Sequence, residues 1–396
     1  MVVVEDHQDW ETLPNDRADL TIVLEAAHSR IPTNLLTEGA MLPEIPLVDV
    51  RRLASADLCR HDLERVRALV GAALSRRSHV LLPLATRFID RVSHSWLARQ
   101  ADFYLEEIRH VAALLERPGA FFLNTIYEWA CSTSVAADPA GDGARMIRVL
   151  DWGLSGLGRH VVIARHETRH GPFYNATWPG YAGVLNAMAP GRFAAAINQA
   201  PRVPVLGLRL VDDIITHLRV LHSADTMLAS HLLRRVFEQA ADFAAAVAMM
   251  ADERVKLAMP ALFALAGSEP DELCIVEAFG SERRVHRGRK GAADVLAMAN
   301  QWLSPDLKGR ARNEAVTTAP PMNAEANNVA RQAIIRRLQR APAIGSDDLP
   351  EPVLNSQTVM VVVANARRGE MTVEALDPPQ GQLMPRAVAR RALRHA

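Results

Sequence analysis

Apolar positions recur at helical spacing in two stretches of the first third of the chain. Leu58, Leu63, Val66, Leu69, Val70, Ala73 and Leu74 share one face of a helix predicted over about 55–77. Trp96, Leu97, Phe103, Tyr104, Ile108, Val111 and Leu115 share a face of a second, over about 93–116, which Pro118-Gly119 ends. Ahead of them the pattern gives only a short strand at 21–24 and an extended segment at 45–50.

The pattern then changes period. An apolar run ends at Ala130 and is followed by Cys131, Ser132, Thr133, Ser134 and Val135. Asp138, Pro139, Gly141, Asp142 and Gly143 form a turn signal, and a second apolar run closes on Arg148-Val149-Leu150-Asp151. Residues 131–137 and 145–152 therefore read as the strands of a hairpin. That pairing draws together the Cys131 thiol, the Arg148 guanidinium and the Asp151 carboxylate. Alone, such a cysteine is usually a small buried hydrophobe, and an Arg/Asp pair three residues apart is usually a surface ion pair.

Further strands are predicted at 159–165, between Pro179-Gly180 and Pro190-Gly191, and at 193–198. The stretch 205–265 turns helical, with Leu232, Leu233, Val236, Phe237, Ala240, Phe243, Val247 and Met250 in register and a shorter helix leading into 261–267. Strands follow at 272–279, 284–286 and 295–299, then a polar loop over 304–324, a helix over 325–340 and closing strands at 358–363 and 370–375. The Arg-rich final residues read as a solvated tail. Pattern alone gives one large mixed α and β domain.

Composition narrows the function classes. The chain has 396 residues, 49% of them hydrophobic, enough for a substantial core. Its 45 basic and 45 acidic residues cancel, so charge gives no reason to expect nucleic acid or an anionic membrane as partner. Cys59, Cys131 and Cys274 are too few and too scattered for a disulfide framework or a thiolate zinc site. No run approaches the ~18 apolar residues of a membrane span. The opening MVVVEDHQDWETLPND has no basic region of a secretory signal, so a cytoplasmic protein is expected.

His166-Glu167-Thr168-Arg169-His170 matches the H-E-x-x-H pattern letter for letter. Zinc binding needs those histidines one helical turn apart. A β-type run leads in here and Gly171-Pro172 follows, so a hairpin tip is expected and a zinc protease is the lesser reading.

The ordered blocks resemble the acid ceramidase group of N-terminal nucleophile (Ntn) hydrolases, which includes the acid amidase that cleaves N-acylethanolamines. Cys131-Ser132-Thr133-Ser134-Val135-Ala136 is similar to the family's Cys-Thr-Ser-Ile-Val-Ala, and Arg148-Val149-Leu150-Asp151 to its Arg-Asn-x-Asp. The segment from Pro179-Gly180 through Pro190-Gly191 to Phe193 resembles the family's Pro-Gly-x-x-Gly-x-Leu-Thr-Gly-Met-x-Pro-Gly-x-Phe. Asn300-Gln301-Trp302-Leu303 also stands in family order. The resemblance implies an α+β fold, the four-layer αββα Ntn-hydrolase sandwich. It divides the chain into an N-terminal helical leader, 1–130, and a catalytic domain, 131–396.

The same resemblance implies that the chain cuts itself before Cys131. The freed α-amine, with a pKa of about 7.7–8.0, then serves as general base for the thiol beside it. Cys131, Arg148, Asp151 and Asn300 are the implied catalytic residues, Asn300 as oxyanion donor. Asn198, Gln199 and Arg312 are the implied substrate contacts, with Arg310 the other candidate for the last position. The expected substrate is a small, lipid-like acyl amide, hydrolysed through a thioester without metal or organic cofactor, by a chain that cleavage turns into two subunits. Ser132, Val149 and Gln199 depart from the family's Thr, Asn and Glu. An acyltransferase using the same thioester and an inactive binding scaffold are the alternative readings.

Overall fold

The computed structural model describes residues 2–3, 42–75, 82–100, 104–125, 130–154, 156–201, 222–291, 293–307, 309 and 322–395. The predicted strand at 21–24, Phe103, Arg310, Arg312 and most of the 304–324 loop lie outside the described residues.

In chain order the elements are β1 (Val2–Val3), β2 (Leu47–Val50), α1 (Ala54–His61), α2 (Leu63–Ser75), α3 (Leu82–Leu97), α4 (Leu105–Leu115) and α5 (Ala120–Thr125). There follow β3 (Ala130–Ala137), β4 (Ala144–Asp151), β5 (Val162–His166), β6 (Phe173–Thr177), β7 (Asn186–Ala189) and β8 (Phe193–Gln199). Next come α6 (Ala229–Gln239), α7 (Phe243–Met250), β9 (Ala261–Gly267), β10 (Leu273–Phe279), β11 (Glu282–Arg287) and β12 (Val295–Met298). The chain closes with α8 (Ala324–Leu338), β13 (Thr358–Asn365), β14 (Glu370–Asp377) and β15 (Arg386–Arg394).

The strands form two sheets. A nine-stranded one runs β1-β11-β10-β9-β8-β7-β6-β5-β2, and a six-stranded one runs β12-β3-β4-β13-β14-β15. The sheets pack face to face, β3 and β4 against β8 and β9, and β13 against β7 and β8. Helices α6 and α7 cover the outer face of the larger sheet, and α8 covers the outer face of the smaller one across β3 and β12. The result is the four-layer αββα sandwich. With both faces covered, β3, β4, β8 and β9 are buried almost throughout, so they carry continuous small and apolar runs rather than a clean alternation.

The predicted hairpin is present, with Cys131 opposite Leu150 and Thr133 opposite Arg148. The two long helices predicted ahead of the hairpin are each divided. Asp62 ends α1 and its Oδ1 accepts the Arg65 N–H at 2.9 Å, starting α2. Helix α3 stops at Leu97 and α4 starts at Leu105. The part of the chain ahead of β3 is not purely helical: β2 pairs in parallel with β5 and so completes an edge of the larger sheet.

Two expectations fail. Residues 261–265, the end of the stretch predicted helical over 205–265, belong to strand β9, bonded between β8 and β10. Its Ala/Leu run is apolar on both faces, and a short run of that kind has no period to separate strand from helix. The Arg-rich end is not a solvated tail, because Arg386–Arg394 is the edge strand β15, paired along β14. Its arginines face Glu370 and Glu374 across the ladder, Arg390 to Glu374 at 3.4 Å and Arg394 to Glu370 at 3.4 Å. Cross-strand charge pairing hides the strand signal behind a high Arg content.

Candidate active site

The β12–β3 ladder brings the site together. Its last pair is Met298 with Thr133, and continuing that register would set Asn300 opposite Cys131. The strand has ended by then, and the Asn300 side chain takes the place of a ladder carbonyl. Its Oδ1 accepts the Cys131 N–H at 2.8 Å, and its Nδ2 donates to the Gln199 carbonyl at 2.8 Å. Both residues are fully buried.

Alternation along the hairpin sorts the remaining groups onto two faces. Thr133 and Arg148 meet Asn198 of β8, so they lie on the face toward the larger sheet. Arg148 Nη1 donates to Thr133 Oγ1 at 3.1 Å and to Asn198 Oδ1, and Thr133 Oγ1 donates to the same oxygen at 2.7 Å. Asn198 Nδ2 turns back to the Ala299 carbonyl at 2.9 Å. Arg148 Nε and Nη2 are buried and have no hydrogen-bond partner among the described residues.

Asp151 stands opposite Ala130, at the end of the hairpin. Its Oδ1 accepts the Thr358 hydroxyl at 2.8 Å, and its Oδ2 lies 3.7 Å from Arg331 Nη1. Asp151 therefore meets Arg331 on the α8 side of the sheet, while Arg148 faces the larger sheet.

Arg331 is the residue that the sequence did not disclose. It projects from α8, is fully buried, and donates through Nη1 to the Cys131 carbonyl at 2.8 Å and to Ser132 Oγ at 3.3 Å. Nη2 reaches Asn300 Oδ1 at 2.9 Å and also Asn328 Oδ1, while Nε donates to Asn327 at 2.9 Å. The resemblance places the further arginine at 310 or 312. The available signal is Asn327-Asn328 with Arg331 four and three residues further on, polar residues on one face of a predicted helix, which a surface helix explains equally well.

Burial sets the electrostatics. It pushes the Cys131 thiol up to about 11, with Arg148 opposing and Asp151 adding to the rise. It lifts Asp151 to about 6, against the pull of Arg331 and of hydrogen bonds from Asn355 and Thr358. Arg331 is itself held below its usual range by burial, with Asp151 opposing. The thiol is thus protonated at neutral pH and sealed from solvent.

Cys131, Arg148, Asn198 and Asn300 therefore meet, joined by the Gln199 carbonyl, and Asp151 reaches the group through Arg331. Arg312 lies outside the described residues. The H-E-x-x-H segment forms a hairpin tip: His166 ends β5, buried and stacked on Phe173 at 4.2 Å, and His170 lies in the turn before β6.

No protein-family model matches the chain. In sequence it is similar to a probable acid ceramidase of Caenorhabditis elegans, 27% identical over 192 residues, which are 43% of this chain and 45% of that protein. The chain thus spans about half the length of the curated relative it matches. Among solved structures it is similar to an N-acylethanolamine-hydrolyzing acid amidase (NAAA) ortholog of Caenorhabditis elegans, with a TM-score of 0.45 and 18% identity, covering 60% of this chain and 93% of that one. It is also similar to penicillin V acylase from Agrobacterium tumefaciens, with a TM-score of 0.34 and 13% identity, covering 62% and 83%.

Proposed function

We propose that this acid ceramidase-like chain is an amidohydrolase that cuts itself between Ala130 and Cys131 and then hydrolyses linear, non-peptide amides of apolar acyl groups. The observation that carries the reading is the hold on the Cys131 nitrogen. Its N–H is bonded by a side chain, Asn300, rather than by a neighbouring strand, beside a buried thiol and guanidinium. A nitrogen released there stays oriented without being tied into a β-ladder.

In the first step the Cys131 sulfur attacks the Ala130 carbonyl carbon. The C–N bond breaks, a C–S bond forms, and the thiol proton passes to the departing nitrogen. Water then hydrolyses the thioester, leaving an Ala130 carboxylate and a free Cys131 amine and thiol. In turnover that amine takes the thiol proton, sulfur attacks the substrate amide, and the proton goes to the leaving amine. A second water releases the fatty acid.

Arg148, with Nε and Nη2 open, supplies N–H donors to charge building on sulfur. Asp151 and Arg331 hold the carbonyl side of Cys131. Asn300 keeps the amine oriented, and its Nδ2 becomes an oxyanion donor when it leaves the Gln199 carbonyl, a contribution typically worth about 2.7–4 kcal/mol. The leader stays in place after the cut, because β2 remains paired to β5 and buried Glu107 of α4 remains paired to Arg234 of α6 at 2.9 Å.

The test is release of fatty acid from a panel of N-acyl amides by the purified protein and by Cys131→Ala. Turnover that persists in Cys131→Ala contradicts the proposal.

A further inference from the structure

A carboxylate outside the site holds the segment that bears Asn300. Glu277 lies in β10 and is 1% exposed, an uncommon place for a glutamate unless every lone pair is used. Its Oε1 accepts the Leu303 N–H at 2.6 Å and the Ser304 N–H at 3.3 Å. Its Oε2 accepts the Ser304 N–H at 3.2 Å, the Ser304 hydroxyl, and His286 Nε2 of β11 at 2.9 Å.

Serine, histidine and carboxylate are the residue types of a hydrolytic triad, but their order here is wrong for one. Ser304 Oγ also lies 3.4 Å from His286 Nε2, but the hydroxyl donates to Glu277 Oε2 and the imidazole meets that same oxygen at 2.9 Å, so the histidine is turned to the carboxylate rather than placed as a base for Ser304. The cluster instead ties a loop. After β12 ends in the smaller sheet, residues 299–304 cross to the larger sheet and are fixed there by Glu277. Arg284 to Asp306 at 2.8 Å and the edge contact of Trp302 with Phe279 secure the same loop. At its near end the Asn300 N–H is fixed to Asn328 of α8 at 3.2 Å.

We infer that Glu277 is a positioning residue that fixes Asn300 against Cys131 by anchoring the next turn of chain to the opposite sheet. The inference rests on the role given to Asn300 above. Replacing the carboxylate takes the charged acceptor from the half-buried Leu303 N–H and the buried Ser304 N–H, and the cheapest relief is for the loop to move. Asn300 moves with it, and a misplacement of about 1 Å can cost about 100-fold in rate.

Glu277→Gln and Glu277→Asp test this by two independent readouts. Amide hydrogen exchange of 299–304 is measured in the uncut Cys131→Ala background, and self-cleavage rate, kcat and KM in the otherwise native chain. Expected is exchange about tenfold faster in 299–304 alone, and self-cleavage and kcat lower by about 10- to 100-fold with KM unchanged. Glu277→Asp, which keeps the charge, recovers part of both. Wild-type exchange and kcat in Glu277→Gln overturn the inference, as does exchange that quickens throughout the protein. Should Glu277→Gln fail to fold, Ser304→Ala removes one hydrogen bond from the same carboxylate and takes the same measurements. Should the wild type neither cut itself nor hydrolyse amides, the proposed function falls alone. The exchange arm then still decides, selective loosening upholding the anchor and unchanged protection refuting it.

Discussion

Asn300 occupies the position opposite Cys131 in a ladder that has already ended, and its Oδ1 accepts the Cys131 N–H at 2.8 Å. One oxygen therefore serves both the nucleophile's nitrogen and Arg331 Nη2 at 2.9 Å. Asn300→Ala strands the buried Cys131 N–H and leaves Arg331 Nη2 with Asn328 alone, at about 1–3 kcal/mol. Self-cleavage is expected to slow by about 100-fold or more. The rate of fragment appearance on a denaturing gel checks this, and a variant that cuts at the wild-type rate contradicts it.

Arg331 joins α8 to both ends of the site. Arg331→Met keeps the length and removes the charge, leaving Asp151 buried without its cation. Losing one partner of such a pair costs about 3–5 kcal/mol. Adding Asp151→Asn should return part of that, because the stranded charge is gone. Chemical denaturation of both single variants and the double variant measures the coupling.

Asp151 makes stability depend on pH. Its folded pKa of about 6 lies above the ordinary carboxylate value of about 3.9. The native state therefore keeps a proton that the unfolded state gives up. The stability this confers is fully present below about pH 4 and is lost as pH rises through about 6. A shift of about two pH units corresponds to about 3 kcal/mol. Denaturation of uncut Cys131→Ala from pH 4 to 7 should show this decline, and Asp151→Asn in the same background should remove it.

The leader is held by more than the peptide bond before Cys131. Glu107 pairs with Arg234 at 2.9 Å with both side chains buried, and it also accepts the Ser55 N–H. The two fragments of the cut chain are expected to elute together in size-exclusion chromatography. Glu107→Ala, which leaves Arg234 without this partner, should weaken that association, at about 3–5 kcal/mol. A leader that separates from the wild type at neutral pH contradicts this.

Much of this was legible in the sequence where local chemistry is distinctive. The Pro/Gly/Asp turn set the β3–β4 hairpin, and the helical face of Leu232, Val236 and Phe237 set α6. Strand β9 was not legible, because Ala and Leu carry no period once both faces are buried. Strand β15 was not, because its arginines answer glutamates on β14, a pairing that only the fold creates. Within the site, Cys131, Arg148 and Asp151 could be grouped because one hairpin holds them. Arg331 comes from a helix 200 residues later, and nothing local distinguishes it from a solvated arginine.

The central claim is that the Cys131 nitrogen is freed. The direct measurement is the intact mass of freshly purified wild type beside Cys131→Ala, each incubated from mildly acidic to neutral pH. The mechanism requires wild type to divide into two fragments that meet at Ala130 and Cys131, with the variant whole. A wild-type chain that stays whole under every condition leaves the thiol without its amine base and contradicts the mechanism.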